Sequence, residues 1–357
     1  MKESLWPPKF ACRPSRPGGA LPRLSTPIAF WRSQAAMFRT IAVTTDFSET
    51  SRQAFGPAAV LAKKLEMPVC VLYFDSGPEI HTPWQCASGA PGGSEERETE
   101  IRGRLEHLIE DEPAFRDLGA SVRIIRGQPA DVLACLHEVE RIDLLVLSSH
   151  AHDDVKHFVP GSFAARALHL ARGPVLILRS GPVRERPFEI RRLLVPVDFS
   201  DSSLEALELA SRLAHAFLAD LEILSIIEAA PTAESKRDAA GADTADDPAG
   251  RTLRLEEIAA RIRGSRPPRV TVRSGSPAEE ILAEAVRSEA DLIVMGSRGL
   301  SPVEQITLGS VAERAIQNAI CPVLVVKAVR VRRQDGSPEE TGDEERAGSG
   351  CCSSPAA

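Results

Sequence analysis

The sequence has no long apolar run: nothing in its 357 residues approaches the roughly 20 consecutive apolar positions that a membrane-spanning helix needs. An excess of positive charge is also missing. Lys and Arg number 43 against 50 Asp and Glu, a formal charge of −7, so no basic field draws nucleic acid. Neither nucleic acid nor a membrane is therefore expected as a partner. Metal-type cysteine spacing is absent too. The seven cysteines are scattered and odd in number; Cys70, Cys135 and Cys321 sit in or beside apolar runs, where a reduced thiol behaves as a small hydrophobe. Cys351 and Cys352 lie in a polar stretch. This usage fits a reducing cytoplasm without a disulfide framework. Nor does any Ser/His/Asp or Cys/His arrangement stand out as a catalytic set.

What is present is length enough for two domains, with 43% hydrophobic and 26% charged residues, ordinary values for a globular chain. Residues 1–36 are rich in Pro and Arg with Glu3 as the only acid, and they carry neither a continuous apolar stretch nor an amphipathic period. They read as a disordered extension or as sequence ahead of the true start, since Met37 stands directly before the first strand. The Glu-, Gly- and Ser-rich stretch 331–357 reads as a disordered tail.

The chain repeats itself. Val43-Thr44-Thr45-Asp46-Phe47-Ser48 recurs as Val195-Pro196-Val197-Asp198-Phe199-Ser200, and Gly127-Gln128-Pro129-Ala130 as Gly275-Ser276-Pro277-Ala278. Asp143-Leu144-Leu145-Val146-Leu147 returns as Asp291-Leu292-Ile293-Val294-Met295, and Pro174-Val175-Leu176-Ile177-Leu178 as Pro322-Val323-Leu324-Val325-Val326. Order and offset are kept, which marks a duplication into copy one (37–183) and copy two (188–330). The linker Ser180–Pro187 is short and holds Pro182 and Pro187, so the halves are expected to pack together.

Each copy alternates strand and helix. In copy two the spacing predicts strands at Arg192–Val197, Leu221–Ile227, Arg269–Arg273, Leu292–Met295 and Val323–Lys327. Helices are expected from near Ser200, across 251–263, from Pro277 and over Ser310–Asn318. Leu204, Leu207, Ala210, Leu213, Ala214 and Phe217 form one apolar stripe on the first helix, which Ser200 or Asp201 can cap. Strands apolar on both faces imply a parallel sheet covered by helices on both sides.

In such a sheet ligands bind beyond the carboxyl ends of the strands. Asp198 ends the first strand of copy two. Met295-Gly296-Ser297-Arg298-Gly299 ends the fourth and leads to Gly309-Ser310, which opens a helix. Gly296 and Gly299 lack side chains, so their amides can approach phosphate oxygens. Gly309 and Ser310 offer free amides where the helix dipole favours an anion. Asp198 can accept from ribose hydroxyls or an adenine amine. Arg298 reads equally as a phosphate contact or as an exposed loop charge. His150, His152 and His157, with Asp153 and Asp154, form the densest set of potential metal ligands, but a solvated loop is the favoured reading. Asp143 and Asp291, just before strands, read as turn residues, and His215 as an exposed helix residue.

The spacing Gly296, Gly299, Gly309, Ser310 resembles the nucleotide-binding branch of the universal stress protein family, over about residues 37–330. The resemblance implies two tandem doubly wound α/β domains of the Rossmann-like, adenine nucleotide alpha hydrolase-like type. Each would hold a five-stranded parallel sheet with helices on both faces. It further implies ATP, with or without Mg²⁺, on Asp198, Ile226, Met295, Gly296, Arg298, Gly299, Gly309, Ser310 and Val311, and pairing of the two copies through their last strands. A further homodimer is compatible with it. Copy one departs from the pattern, with Ser148 and Ala151 opposite Gly296 and Gly299, and with Phe74 opposite Ile226; it is expected to bind nucleotide poorly. The implied function is that of an ATP-binding stress-response protein. A nucleotide-independent scaffold and a slow ATPase or autokinase are the alternatives. The Ser-Gly-Gly-x-Asp-Ser loop of related ATP-pyrophosphatases is missing after the first strand, and no general base or magnesium-binding carboxylate set is visible.

Overall fold

The computed structural model describes residues 39–75, 94–126, 142–149, 162–179, 188–228, 248–262, 266–299 and 308–327, together with Leu133 and Leu136. The terminal segments, the linker at 180–187, the histidine cluster, Ala151 and the Gly127–Ala130 repeat lie outside the described residues.

Copy one runs β1 (Ile41–Thr44), α1 (Glu49–Arg52), α2 (Phe55–Leu65), β2 (Val69–Asp75), α3 (Ser94–Asp111), β3 (Ser121–Arg126), β4 (Leu144–Ser149), α4 (Ser162–Leu170) and β5 (Val175–Arg179). Copy two runs β6 (Arg192–Pro196), α5 (Asp201–Phe217), β7 (Asp220–Ile227), α6 (Pro248–Ala259), β8 (Arg269–Ser274), α7 (Pro277–Arg287), β9 (Leu292–Gly296), α8 (Ser310–Asn318) and β10 (Val323–Val326). All ten strands join one sheet in the order β3-β2-β1-β4-β5-β10-β9-β6-β7-β8. Neighbours within each copy are parallel, and the order within each copy reverses direction between its first and fourth strands.

The copies meet through β5 and β10, which pair antiparallel with Val323 opposite Ile177, Leu324 opposite Leu176 and Val325 opposite Val175. Since Leu324 is the repeat counterpart of Leu176, a local two-fold axis passes through that pair. Pairing buries what would otherwise be two apolar edge strands, both of which are buried along nearly their whole length.

Local chemistry explains most boundaries. Ser200 caps α5 by accepting from the Ser203 amide, and Asp201 sits in the first turn. The stripe on α5 is broader than the three-and-four spacing predicts: Ala206 and Leu209 are buried, while Leu204 and Phe217 are only half-buried. Copy one breaks the same helix in two. Pro57, at the third position of α2, has no N–H to donate to Gln53, and the chain turns tightly at Gln53 and Ala54 before α2 begins. Asp291 accepts from the Arg191 and Arg192 amides, both at 2.9 Å, and Asp143 accepts from Arg39, so both act as turn residues. His215 is exposed.

The central strands are buried on both faces, but the outermost ones are not. In β3 and β8 exposed and half-buried positions share the strand, with Ser121, Arg126, Arg269 and Arg273 open to solvent. Each has a neighbour on one side only, so the expected two-faced burial fails there. One continuous apolar layer runs across both copies, from Ala42 and Cys70 through Val175 to Val325, and α4, α7 and α8 pack into it. Among the described residues no helix is long and apolar enough to cross a membrane.

Candidate functional site

At the carboxyl end of copy two the turn after β6 is held by a carboxylate. Asp198 Oδ1 accepts from the Ser200 amide at 3.0 Å and from Ser200 Oγ at 2.6 Å. Phe199 takes a positive φ of 65°, a conformation costing a non-glycine residue roughly 1–2 kcal/mol. The Arg254 guanidinium lies 4.0 Å from its ring centroid, a cation–π contact that holds the ring in place. Copy one repeats the device: Phe47 has φ 67°, the Arg104 guanidinium lies 4.1 Å from its ring, and Asp46 Oδ1 accepts from the Ser48 amide at 2.9 Å. Burial works to raise the Asp46 carboxyl; the hydrogen bonds from Ser48 outweigh it and hold the group below its ordinary range.

The loop after β9 closes on this turn. A Cβ on Gly299 would lie 2.7 Å from Asp198 Oδ2, and a Cβ on Gly296 would lie 2.5 Å from Ser202 Oγ and 2.7 Å from the Ser202 backbone carbon. Gly296 is therefore required by backbone contacts, a different reason from the ligand approach inferred from sequence, whereas at Gly299 only the Asp198 carboxylate would have to give way. The Arg298 carbonyl accepts from Ser202 Oγ. Ser297 N donates to Val326 O at 2.8 Å and Gly309 N donates to Ser297 O at 2.7 Å, so the loop is stitched to β10 and to the start of α8.

Beside the loop a cleft of about 510 Å³ is lined by Glu228, Gly275, Ser276, Pro277, Ala278, Ser310, Val311 and Arg314. Its volume lies within the range of small-molecule sites. The amino ends of α7 and α8 both contribute, and neither carries a side-chain cap: Ser276 makes no capping bond and Gly309 has no side chain to make one. Their free amides and dipoles remain available to an anion.

Of the residues expected from sequence, Ser310 and Val311 line the cleft, while Asp198, Gly296, Arg298, Gly299 and Gly309 gather at the loop beside it. Ile226 is half-buried at the end of β7, its carbonyl accepting from Arg251 at 2.9 Å. Met295 is buried in the apolar layer, so its side chain belongs to the core. As site residues, Ser202, Arg314 and Lys327 were not marked by the sequence, and Gly275–Ala278 stood out only as a repeat and a helix start. In copy one Phe74 packs on Phe163, ring centroids 4.9 Å apart, where copy two has Ile226 and Val311. Two aromatic rings thus occupy the corresponding corner.

The family model described as the universal stress protein family matches residues 37–179 and again 189–327. The chain belongs to the universal stress protein family. A universal stress protein of Methanocaldococcus jannaschii is 35% identical over 140 residues, spanning 38% of this chain and 82% of that one. The solved structure of a universal stress protein from Archaeoglobus fulgidus covers 81% of this chain and 98% of its own, at 22% identity and a TM-score of 0.59, a likeness of fold across both copies. A universal stress protein solved in complex with cAMP is 25% identical, covers 40% of this chain and 99% of its own, and has a TM-score of 0.31.

Proposed function

We propose that this universal stress protein binds one adenine nucleotide per chain, ATP in particular, at copy two, and acts as a nucleotide-responsive stress or signalling protein. The observation that carries the reading is the cleft of about 510 Å³ onto which the uncapped amino ends of α7 and α8 open. A Cβ on Gly309 would meet Ser297 O at 3.5 Å and Arg298 Cα at 3.6 Å, ordinary contacts, and the φ of −77° at this position suits any residue. The loop backbone thus lies directly against Gly309 and closes onto the start of α8. A phosphate in the cleft would meet the free amides in the first turn of α8.

On this reading Gly299 and Ser310 offer amides to the phosphates, and Arg298 and Arg314 add positive charge; the Gly309 amide, expected from sequence to be free, is taken by Ser297 O and holds the loop to α8 instead. Asp198 and Ile226 take the nucleoside, and Val311 offers an apolar surface. Among the described residues no group of three or more His, Cys, Asp or Glu gathers as a metal site. The tilted ring pair Phe74 and Phe163 favours a packing role for copy one in place of a second nucleotide site.

Native mass spectrometry and calorimetric titration of the full chain test this. One nucleotide per chain is expected. Arg314→Ala, which removes an exposed cation from the cleft lining, should cut ATP affinity by about tenfold or more while leaving the melting temperature nearly unchanged, as surface substitutions do. A wild-type chain that neither carries nor takes up adenine nucleotide would overturn the proposal.

A further inference from the structure

One hydroxyl ties the start of α5 to the loop after β9. Ser202 Oγ donates to the Arg298 carbonyl. Ser200 Oγ lies 3.3 Å from the same oxygen, but its single proton is engaged by Asp198 Oδ1 at 2.6 Å. Ser202 therefore carries the bond. The Arg298–Gly299 peptide is trans, as are the other described peptides, and it is planar. Its N–H consequently points opposite to its C=O. With the carbonyl drawn into α5, the Gly299 amide is aimed away from that helix. On the far side stands α8: a Cβ built on Gly309 would lie 3.9 Å from Gly299 N.

We propose that Ser202 is a positioning residue, which by holding the Arg298 carbonyl against α5 turns the Gly299 amide toward an anionic phosphate seated in front of α8. The inference rests on the nucleotide reading above and specifies how the loop is set before ligand arrives. Such presetting matters because an amide that must rotate on binding gives back part of its interaction as reorganisation. Gly296 belongs to the same device, since a side chain there would strike Ser202 Oγ at 2.5 Å. Copy one keeps a hydroxyl at the matching position, Thr50, but has Ser148 where copy two has Gly296.

Ser202→Ala and Ser202→Thr in the full chain, titrated with ATP and with adenosine, separate positioning from general support. Ser202→Ala should lose about tenfold or more in ATP affinity, the scale of one charge-assisted hydrogen bond, with adenosine affinity changed less than about twofold. Ser202→Thr, which keeps the hydroxyl, should restore ATP binding. In the wild-type chain the Gly299 amide proton should move downfield in the NMR spectrum on adding ATP and stay in place with adenosine, a readout that needs no variant to fold. Equal losses for ATP and adenosine, or a Gly299 amide indifferent to ATP, would overturn the inference while leaving nucleotide binding intact. A wild-type chain blind to ATP would remove the nucleotide reading itself and this inference with it.

Discussion

Building a methyl group onto Gly296 would bring it to 2.7 Å from the Ser202 backbone carbon and 2.8 Å from the Ser203 nitrogen. Neither atom is the end of a flexible side chain, so α5 would have to shift. Gly296→Ala should therefore cost about 1–3 kcal/mol in urea unfolding, the scale of overpacking, whereas Gly309→Ala, which meets only ordinary contacts, should cost about 1 kcal/mol or less, the N-cap preference for glycine over alanine. The glycine spacing was legible in the sequence, but its physical reason was not. Spacing along the chain does not say which face of a glycine meets protein and which stays open; only the approach of α5 and Asp198 decides that. Ser202 was invisible for a related reason. A serine two residues past a cap looks like helix filler until the loop from nearly a hundred residues away arrives beside it.

Among the elements, strands and helices were readable because their apolar periods are strong, and copy two agrees with the predicted elements to within a few residues at most ends. Edge character was harder to see. Arg269 and Arg273 alternate with Val270 and Val272 as in any half-buried strand, and the exposed rim follows from β8 having no further neighbour. That rim is braced by α7. Glu284, nearly buried, accepts from Arg273 Nε at 3.1 Å and from Arg287 at 3.0 and 2.9 Å. Burial works to raise its carboxyl; the two guanidiniums outweigh this and hold it below the ordinary 4.5. A depressed folded-state value means that the stabilisation is complete above about 4.5 and is lost as pH falls through the lower folded value. Glu284→Gln should remove about 1–2 kcal/mol near neutral pH, allowing for the half-exposed arginines, and should flatten the acid limb of a stability–pH curve measured by urea unfolding.

At the scale of the whole molecule, Lys327 joins the copies. It follows β10, and its Nζ donates to the carbonyls of Leu168 and His169 in the last turn of α4. Burial, with a smaller contribution from nearby Arg298, lowers its amine to about 8 from the usual 10.5. Between those values the unfolded chain binds more protons than the folded one, so stability should rise as pH climbs from about 8 to about 10.5. Thermal melting across that window should show the rise in wild type and lose it in Lys327→Met. Sequence alone marks Lys327 only as the end of a strand, because its partners lie in the other copy.

The axis through Leu176 and Leu324 has a consequence for how the two halves change over time. In an assembly of identical subunits every substitution is stamped on both sides of the axis at once, so a residue that fills one site fills its twin. Here the pairing is internal to one chain. Dilution cannot separate the halves into free partners, and each side of the axis is encoded on its own. Phe74, Phe163 and Ser148 stand on one side, while Ile226, Val311 and Gly296 stand on the other. Tethering lets the two sides diverge, with an aromatic pair at one corner and a cleft beside Val311 at the other.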